Sequence, residues 1–166
     1  MAIASVADVT VLALGLGEKV EAEGCDRQNM TLPHSQYLLF NAVAKAVAKA
    51  RKKLVLVLVS AGGIDVDESL ADAVLWQPYA GQAAGDGLVA VLWGDYSPSA
   101  RLPQTVYRQE SILSFDLEVG QGRTHRYLKN RSLARHHFGY GLSFATFEYS
   151  SLKVAHASTT APCSRL

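Results

Sequence analysis

The chain has 166 residues, 49% of them hydrophobic and 19% charged, with a formal net charge of +1. That is enough for one domain with its own core. There is no basic field for nucleic acid, no acidic field for a cationic partner, and no apolar run of bilayer length, so neither nucleic acid nor a membrane is expected as a partner.

Residues 1–15 are apolar, but the first basic residue, Lys19, follows the stretch and Asp8 lies inside it. A signal peptide places positive charge first, so this opening is read as a strand. Its main part, residues 7–16 (ADVTVLALGL), is short, rich in β-branched residues and closed by glycine. That is the pattern of a strand buried on both faces. Residues 17–29 are polar and aperiodic, with Glu18, Glu21, Glu23 and Asp26, and read as an ordered loop.

Leu32-Pro33 opens a helix expected over residues 35–53, with Leu38, Leu39, Ala42, Val43, Ala46, Val47 and Ala50 at helical spacing. Lys45, Lys49, Lys52 and Lys53 crowd its end, where positive charge suits the helix dipole. Residues 54–59 (LVLVLV) read as a second buried strand, ended by Ala61-Gly62-Gly63, and residues 71–76 as a third. Residues 81–93 form a poorer helix, with Gly85 and Gly87 inside it. This rhythm predicts an α/β fold with a mostly parallel sheet covered by helices. Residues 95–150 hold turn signals and aromatics with little periodicity, and residues 151–166 read as a frayed tail.

Most chemistry-bearing patterns fail on detail. Gly15-Leu16-Gly17 follows a strand, but a dinucleotide loop needs a third glycine where Val20 stands. His34, His125, His136, His137 and His156 are scattered, so no metal site and no cofactor are expected. Ser60 lacks the flanks of a nucleophile elbow. Cys25 and Cys163 are able to pair, but their spacing indicates neither a disulfide framework nor a metal site. Asn29-Met30-Thr31 and Asn130-Arg131-Ser132 fit the glycosylation sequon and are compatible with secretion.

The informative segment is Glu21-Ala22-Glu23-Gly24-Cys25-Asp26-Arg27. By composition alone it is solvated surface. By position it follows the carboxyl end of a parallel strand, where open α/β sheets place their ligands. Gly24 allows a sharp turn beside Glu23, and Arg27 is expected to hold Asp26 by paired hydrogen bonds.

That segment, with Leu32-Pro33 after it, resembles the acidic loop of family 3 glycoside hydrolases, in the form closest to plant-type β-xylosidases. The resemblance runs on in order through Ser60-Ala61-Gly62, Ile64-Asp65 and Val74-Leu75-Trp76, and through residues 79–85 and Gly94-Asp95-Tyr96-Ser97-Pro98. It continues with Arg101-Leu102-Pro103-Gln104-Thr105, Gly122-Arg123-Thr124 and Arg126-Tyr127, and closes on Phe138-Gly139-Tyr140-Gly141-Leu142-Ser143. Each piece is weak alone; the ordered series, over roughly residues 7–150, is specific.

The resemblance implies the C-terminal α/β domain of a retaining, exo-acting β-xylosidase or β-glucosidase, here over residues 1–150 with 151–166 as a tail. In such enzymes a barrel domain supplies the aspartate nucleophile and the α/β domain supplies the acid/base glutamate. By motif position that glutamate is Glu23, directly before Gly24, with Glu21 as the fallback; Gly24, Asp26 and Arg27 support the loop. The implied partners are a β-linked xyloside or glucoside and an N-terminal barrel domain. A full-length parent is expected to be secreted.

The chain departs from the family pattern. It lacks the barrel, and its fold is expected to be truncated on its N-terminal side. Gly63 stands where proline is frequent, Ala80 and Ala100 where proline and glycine are usual, and the stretch between Asp65 and Ala71 is short. These departures fit a fragment, a diverged gene model or a decaying copy, and the isolated chain is expected to be inactive. Two readings compete: a non-catalytic carbohydrate-binding or interaction fragment that kept the fold, and a generic flavodoxin-like binding domain, against which the missing phosphate loop counts.

Overall fold

The computed structural model describes residues 2–111, 122 and 124–154. Arg123, His156, Cys163 and the tail from residue 155 onward lie outside the described residues. The chain opens on a short helix, α1 (Ala2–Val6), and enters strand β1 (Val9–Gly15). Helix α2 (His34–Ala50) leads to β2 (Lys53–Val59), and a crossover with one 3-10 turn, Glu68–Leu70, leads to β3 (Ala73–Gln77). The three strands form a parallel sheet in the order β1-β2-β3, with Val11 opposite Val55 and Val55 opposite Ala73. Helix α3 (Ala84–Leu92) follows. The α/β architecture matches expectation, with two shifts at its start: residues 2–6 are helical, not part of the strand, and α2 ends three residues early.

That early end has a local cause. Arg51 takes a left-handed conformation (φ 56°), and its N–H closes back on the Ala48 carbonyl while that of Lys52 closes on Val47. These bonds satisfy helix carbonyls that would otherwise lack donors, and the chain enters β2 two residues later. The buried face of α2 is Phe40, Val43, Ala44 and Val47, an i, i+3, i+4, i+7 set. It shares one core cluster with Leu54, Leu56 and Leu58 of β2, and with Leu14, Leu32, Ile64 and Val66.

The two buried strands differ. Val57 is buried on the other face of β2, so β2 is enclosed on both sides as expected. In β1 only one face is enclosed: Leu14 is buried, whereas Val9 and Val11 are 53% and 46% exposed. The expectation that β1 is covered on both faces fails because no described helix lies over Val9 and Val11; α3 buries none of its residues.

Beyond residue 94 the structure holds more order than the aperiodic sequence indicated. Strands β4 (Val106–Tyr107) and β5 (Ala134–His136) form an antiparallel ribbon. It is tied to the crossover after β2 by polar contacts. Arg135 places Nε 2.7 Å and Nη2 2.6 Å from Oδ1 of the buried Asp65, and His136 Nε2 lies 2.7 Å from Glu68 Oε1. The Gln109 N–H donates to Asp65 Oδ2 at 2.8 Å.

Candidate functional site

The acidic loop leaves the carboxyl end of β1, and that end is fixed from two sides. The Leu16 N–H extends the ladder to the Val59 carbonyl, and the Gln36 side chain both accepts from the Gly15 N–H (2.9 Å) and donates to the Gly15 carbonyl (2.7 Å). A side chain at position 15 has no room, since its Cβ would lie 2.3 Å from the Val59 carbonyl oxygen. The chain then winds one turn, with the N–H groups of Val20 and Glu21 both donating to the Gly17 carbonyl.

Ala22 and Cys25 exchange backbone hydrogen bonds, Ala22 N–H to Cys25 carbonyl at 3.3 Å and Cys25 N–H to Ala22 carbonyl at 2.9 Å. Glu23 and Gly24 therefore occupy the two corners of a tight turn. Gly24 has φ +74°, the sign that the second corner of a type II turn demands and that glycine supplies without strain. Glu23 sits exposed at the apex with no side-chain partner among the described residues. Cys25, a free thiol, and Asp26 are exposed beside it.

Glu21 is in the opposite situation. Its Oε1 accepts from the Ala61 N–H (2.7 Å) and the Tyr79 hydroxyl (3.1 Å). Its Oε2 accepts from the Gly62 N–H (3.1 Å) and lies 3.1 Å from Arg27 Nε. Two backbone N–H groups, the Tyr79 hydroxyl and an ion pair with Arg27 thus hold this carboxylate, and its side chain is only 16% exposed. A Cβ at Gly62 would stand 2.6 Å from Arg27 Nη2 and 3.1 Å from Glu21 Oε2, so a side chain there would push on the Arg27–Glu21 pair.

The expected Asp26–Arg27 pair is not formed. Arg27 turns to Glu21 and donates from Nη2 to the Gly63 carbonyl at 2.8 Å, leaving Asp26 in solvent. Neighbours in a tight loop point apart, whereas the turn after β2 offers Arg27 both an ion and a carbonyl. Arg27 still stiffens the loop, through a partner other than the expected one.

Glu21, Ala22, Glu23, Cys25, Asp26, Arg27, Met30, Ala61 and Tyr79 line an open cleft of about 460 Å3. Both glutamates thus meet one cleft, Glu23 free at its rim and Glu21 consumed in its wall. Sequence reasoning missed the role of Tyr79, whose single hydroxyl proton is shared between the Leu16 carbonyl (2.9 Å) and Glu21 Oε1 (3.1 Å). Its only signal was its place directly after the end of a parallel strand. Burial of the hydroxyl, followed by its hydrogen bond to Glu21 and the charge of Glu21, holds the Tyr79 pKa above the usual tyrosine value. Ser60, dismissed as a nucleophile, is structural: it is fully buried, donates to the Gly62 carbonyl and accepts from Trp76 Nε1. Among the described residues no cluster of ligating side chains fits a metal ion.

Comparison with known proteins adds the family. The profile of the glycosyl hydrolase family 3 C-terminal domain matches residues 1–144. The chain is 36% identical over 177 residues to beta-D-xylosidase 1 of Arabidopsis thaliana, covering 99% of this chain and 22% of that protein. It is 35% identical over 165 residues to beta-xylosidase/alpha-L-arabinofuranosidase 1 of Medicago sativa subsp. varia, covering 91% of this chain and 21% of that protein. The crystal structure of a beta-glucosidase from Kluyveromyces marxianus in complex with glucose superposes with a TM-score of 0.74 at 30% identity, over 93% of this chain and 20% of that one. The chain therefore spans about a fifth of the length of these relatives.

Proposed function

Because the chain belongs to glycosyl hydrolase family 3, as its C-terminal domain, we propose that its acidic loop provides the acid/base of a retaining β-glycosidase and that Glu23 is that group. The observation that carries the reading is the contrast between two glutamates two residues apart. A general acid must give its proton to the glycosidic oxygen and then take one from water, so it needs an open carboxyl group within reach of substrate. Glu23 has one. Glu21 is held by two backbone N–H groups, the Tyr79 hydroxyl and the Arg27 ion pair, and faces the wall.

In this mechanism a carboxylate from another part of the enzyme attacks the anomeric carbon. The bond from that carbon to the leaving oxygen breaks, and Glu23 transfers its proton to that oxygen. A water then enters, Glu23 removes its proton, and the resulting hydroxide oxygen displaces the enzyme carboxylate. Retention requires the two carboxyl groups about 5–5.5 Å apart. An exposed apex suits that demand, since it leaves Glu23 open to a carboxylate supplied from elsewhere in the enzyme.

β-Linked xylosides are the proposed substrates, on the strength of the two plant relatives, whose names describe xylosidases. Export of the whole protein belongs to the same proposal and is supported by the exposure of both sequon asparagines, Asn29 and Asn130. The test is Glu23→Gln in a full-length family enzyme carrying this domain. A loss of kcat/KM that is large for poor leaving groups and small for activated aryl glycosides supports the reading; an equal loss of kcat/KM for activated aryl glycosides contradicts it, because their leaving groups depart without protonation.

A further inference from the structure

The acidic loop is held at its entry by Glu21 and midway by Arg27, but its exit is held by residues far away in sequence. Met30 is fastened through both backbone groups. Its carbonyl accepts from the Asp65 N–H at 2.7 Å, and its N–H donates to Oε1 of Gln109 at 2.7 Å. Gln109 is in turn fixed by its own N–H on Asp65 Oδ2 at 2.8 Å, and Asp65 is the buried carboxylate that Arg135 holds. Among the described residues, Gln109 makes the one side-chain hydrogen bond joining the segment after β4 to the exit of the acidic loop.

We infer that Gln109 is a positioning residue for the acid/base: by fixing Met30 it sets where the loop returns and hence how the Glu23 turn sits. The inference rests on the proposed role of Glu23. Two features favour positioning over a merely local bond. First, four residues separate the turn closed by Ala22 and Cys25 from Met30, and Arg27 between them is itself tied to Gly63 and Glu21, so little slack remains. Second, the Gln109 backbone is anchored independently of its side chain, so the amide oxygen is presented from a fixed point. A carboxylate oxygen at the same reach accepts the Met30 N–H equally well, whereas an aliphatic side chain cannot.

Hydrogen exchange on the full chain tests this. Gln109→Leu is expected to speed exchange of the Met30 amide roughly tenfold, as fits a half-buried N–H deprived of its acceptor. It is also expected to speed the Cys25 amide, which closes the turn under Glu23, while β2 amides stay protected. Gln109→Glu should restore both. Acceleration at Met30 with Cys25 unchanged in Gln109→Leu would reduce the contact to a local tie and overturn the inference, as would no change at either amide. If Gln109→Leu also loosens β2, Gln109→Asn, which keeps the polarity but loses one methylene of reach, is compared with Gln109→Glu at the same two amides, with the same outcomes deciding. Because exchange is read without turnover, transfer of the acid/base role to Glu21 would show in kinetics alone, and the two failures stay distinct.

Discussion

At the residue scale the loop is a division of labour between two carboxylates. Glu21 fastens the loop to the turn after β2, and the donors it collects come from residues 27, 61, 62 and 79. Tyr79 makes one of these contacts pH-dependent. Its pKa is raised above 10.0 by burial first and by Glu21 second, so the folded state favours the protonated hydroxyl. The stability it contributes is complete below about pH 10 and is lost as pH rises through the higher folded value, where a phenolate would face the Glu21 carboxylate. The gap in urea midpoint between wild type and Tyr79→Phe is therefore expected to hold steady at neutral pH and to narrow above pH 10; a gap constant to pH 11 would contradict this. Glu23 and Gly24 were legible in the sequence, because a glutamate before a glycine after a parallel strand already describes an exposed corner. The partner of Arg27 was not. Asp26 is its neighbour in sequence, but Glu21 and the Gly63 carbonyl become its neighbours only when the loop and the turn after β2 come together.

At the element scale, α2 and β2 carry the core and were the most legible parts. Their signals are local: a helical apolar stripe, and an unbroken run of leucine and valine. Phe40, 1% exposed at the centre of the stripe, is expected to cost roughly 3–5 kcal/mol when replaced by alanine. Leu38, 53% exposed on the same helix, should change stability by less than about 0.5 kcal/mol. Urea denaturation of the two variants checks the pair, and equal losses would mean that α2 does not pack as described. The elements that escaped sequence reading lack local signals. α1 is apolar but for Ser5 and too short for periodicity to separate helix from strand. β4 and β5 are two and three residues long and exist through pairing across a separation of nearly thirty residues and through the contacts of Arg135 and His136. No window of sequence contains that information.

At the scale of the whole molecule, the open face of β1 and the exposed Trp93, Phe144 and Phe147 leave much apolar surface in water. The chain on its own is expected to bind a hydrophobic dye such as anilinonaphthalene sulfonate while folded; a cooperative monomer that binds none would contradict this. The same openness fits a domain that works against another one, with Glu23 projecting from the rim of its cleft. The most direct measurement of that account is azide rescue in a full-length family enzyme carrying this domain. With Glu23→Gln and a poor leaving group, turnover is expected to fall on the order of 10²–10⁴-fold, the range typical of general acid–base catalysis. With an activated aryl xyloside, the second step becomes limiting because nothing removes the proton from water, and added azide restores turnover by attacking the glycosyl-enzyme directly. Glu21→Gln should show no azide response. Rescue of the Glu21 variant, with near-normal kinetics for the Glu23 variant, would contradict the account.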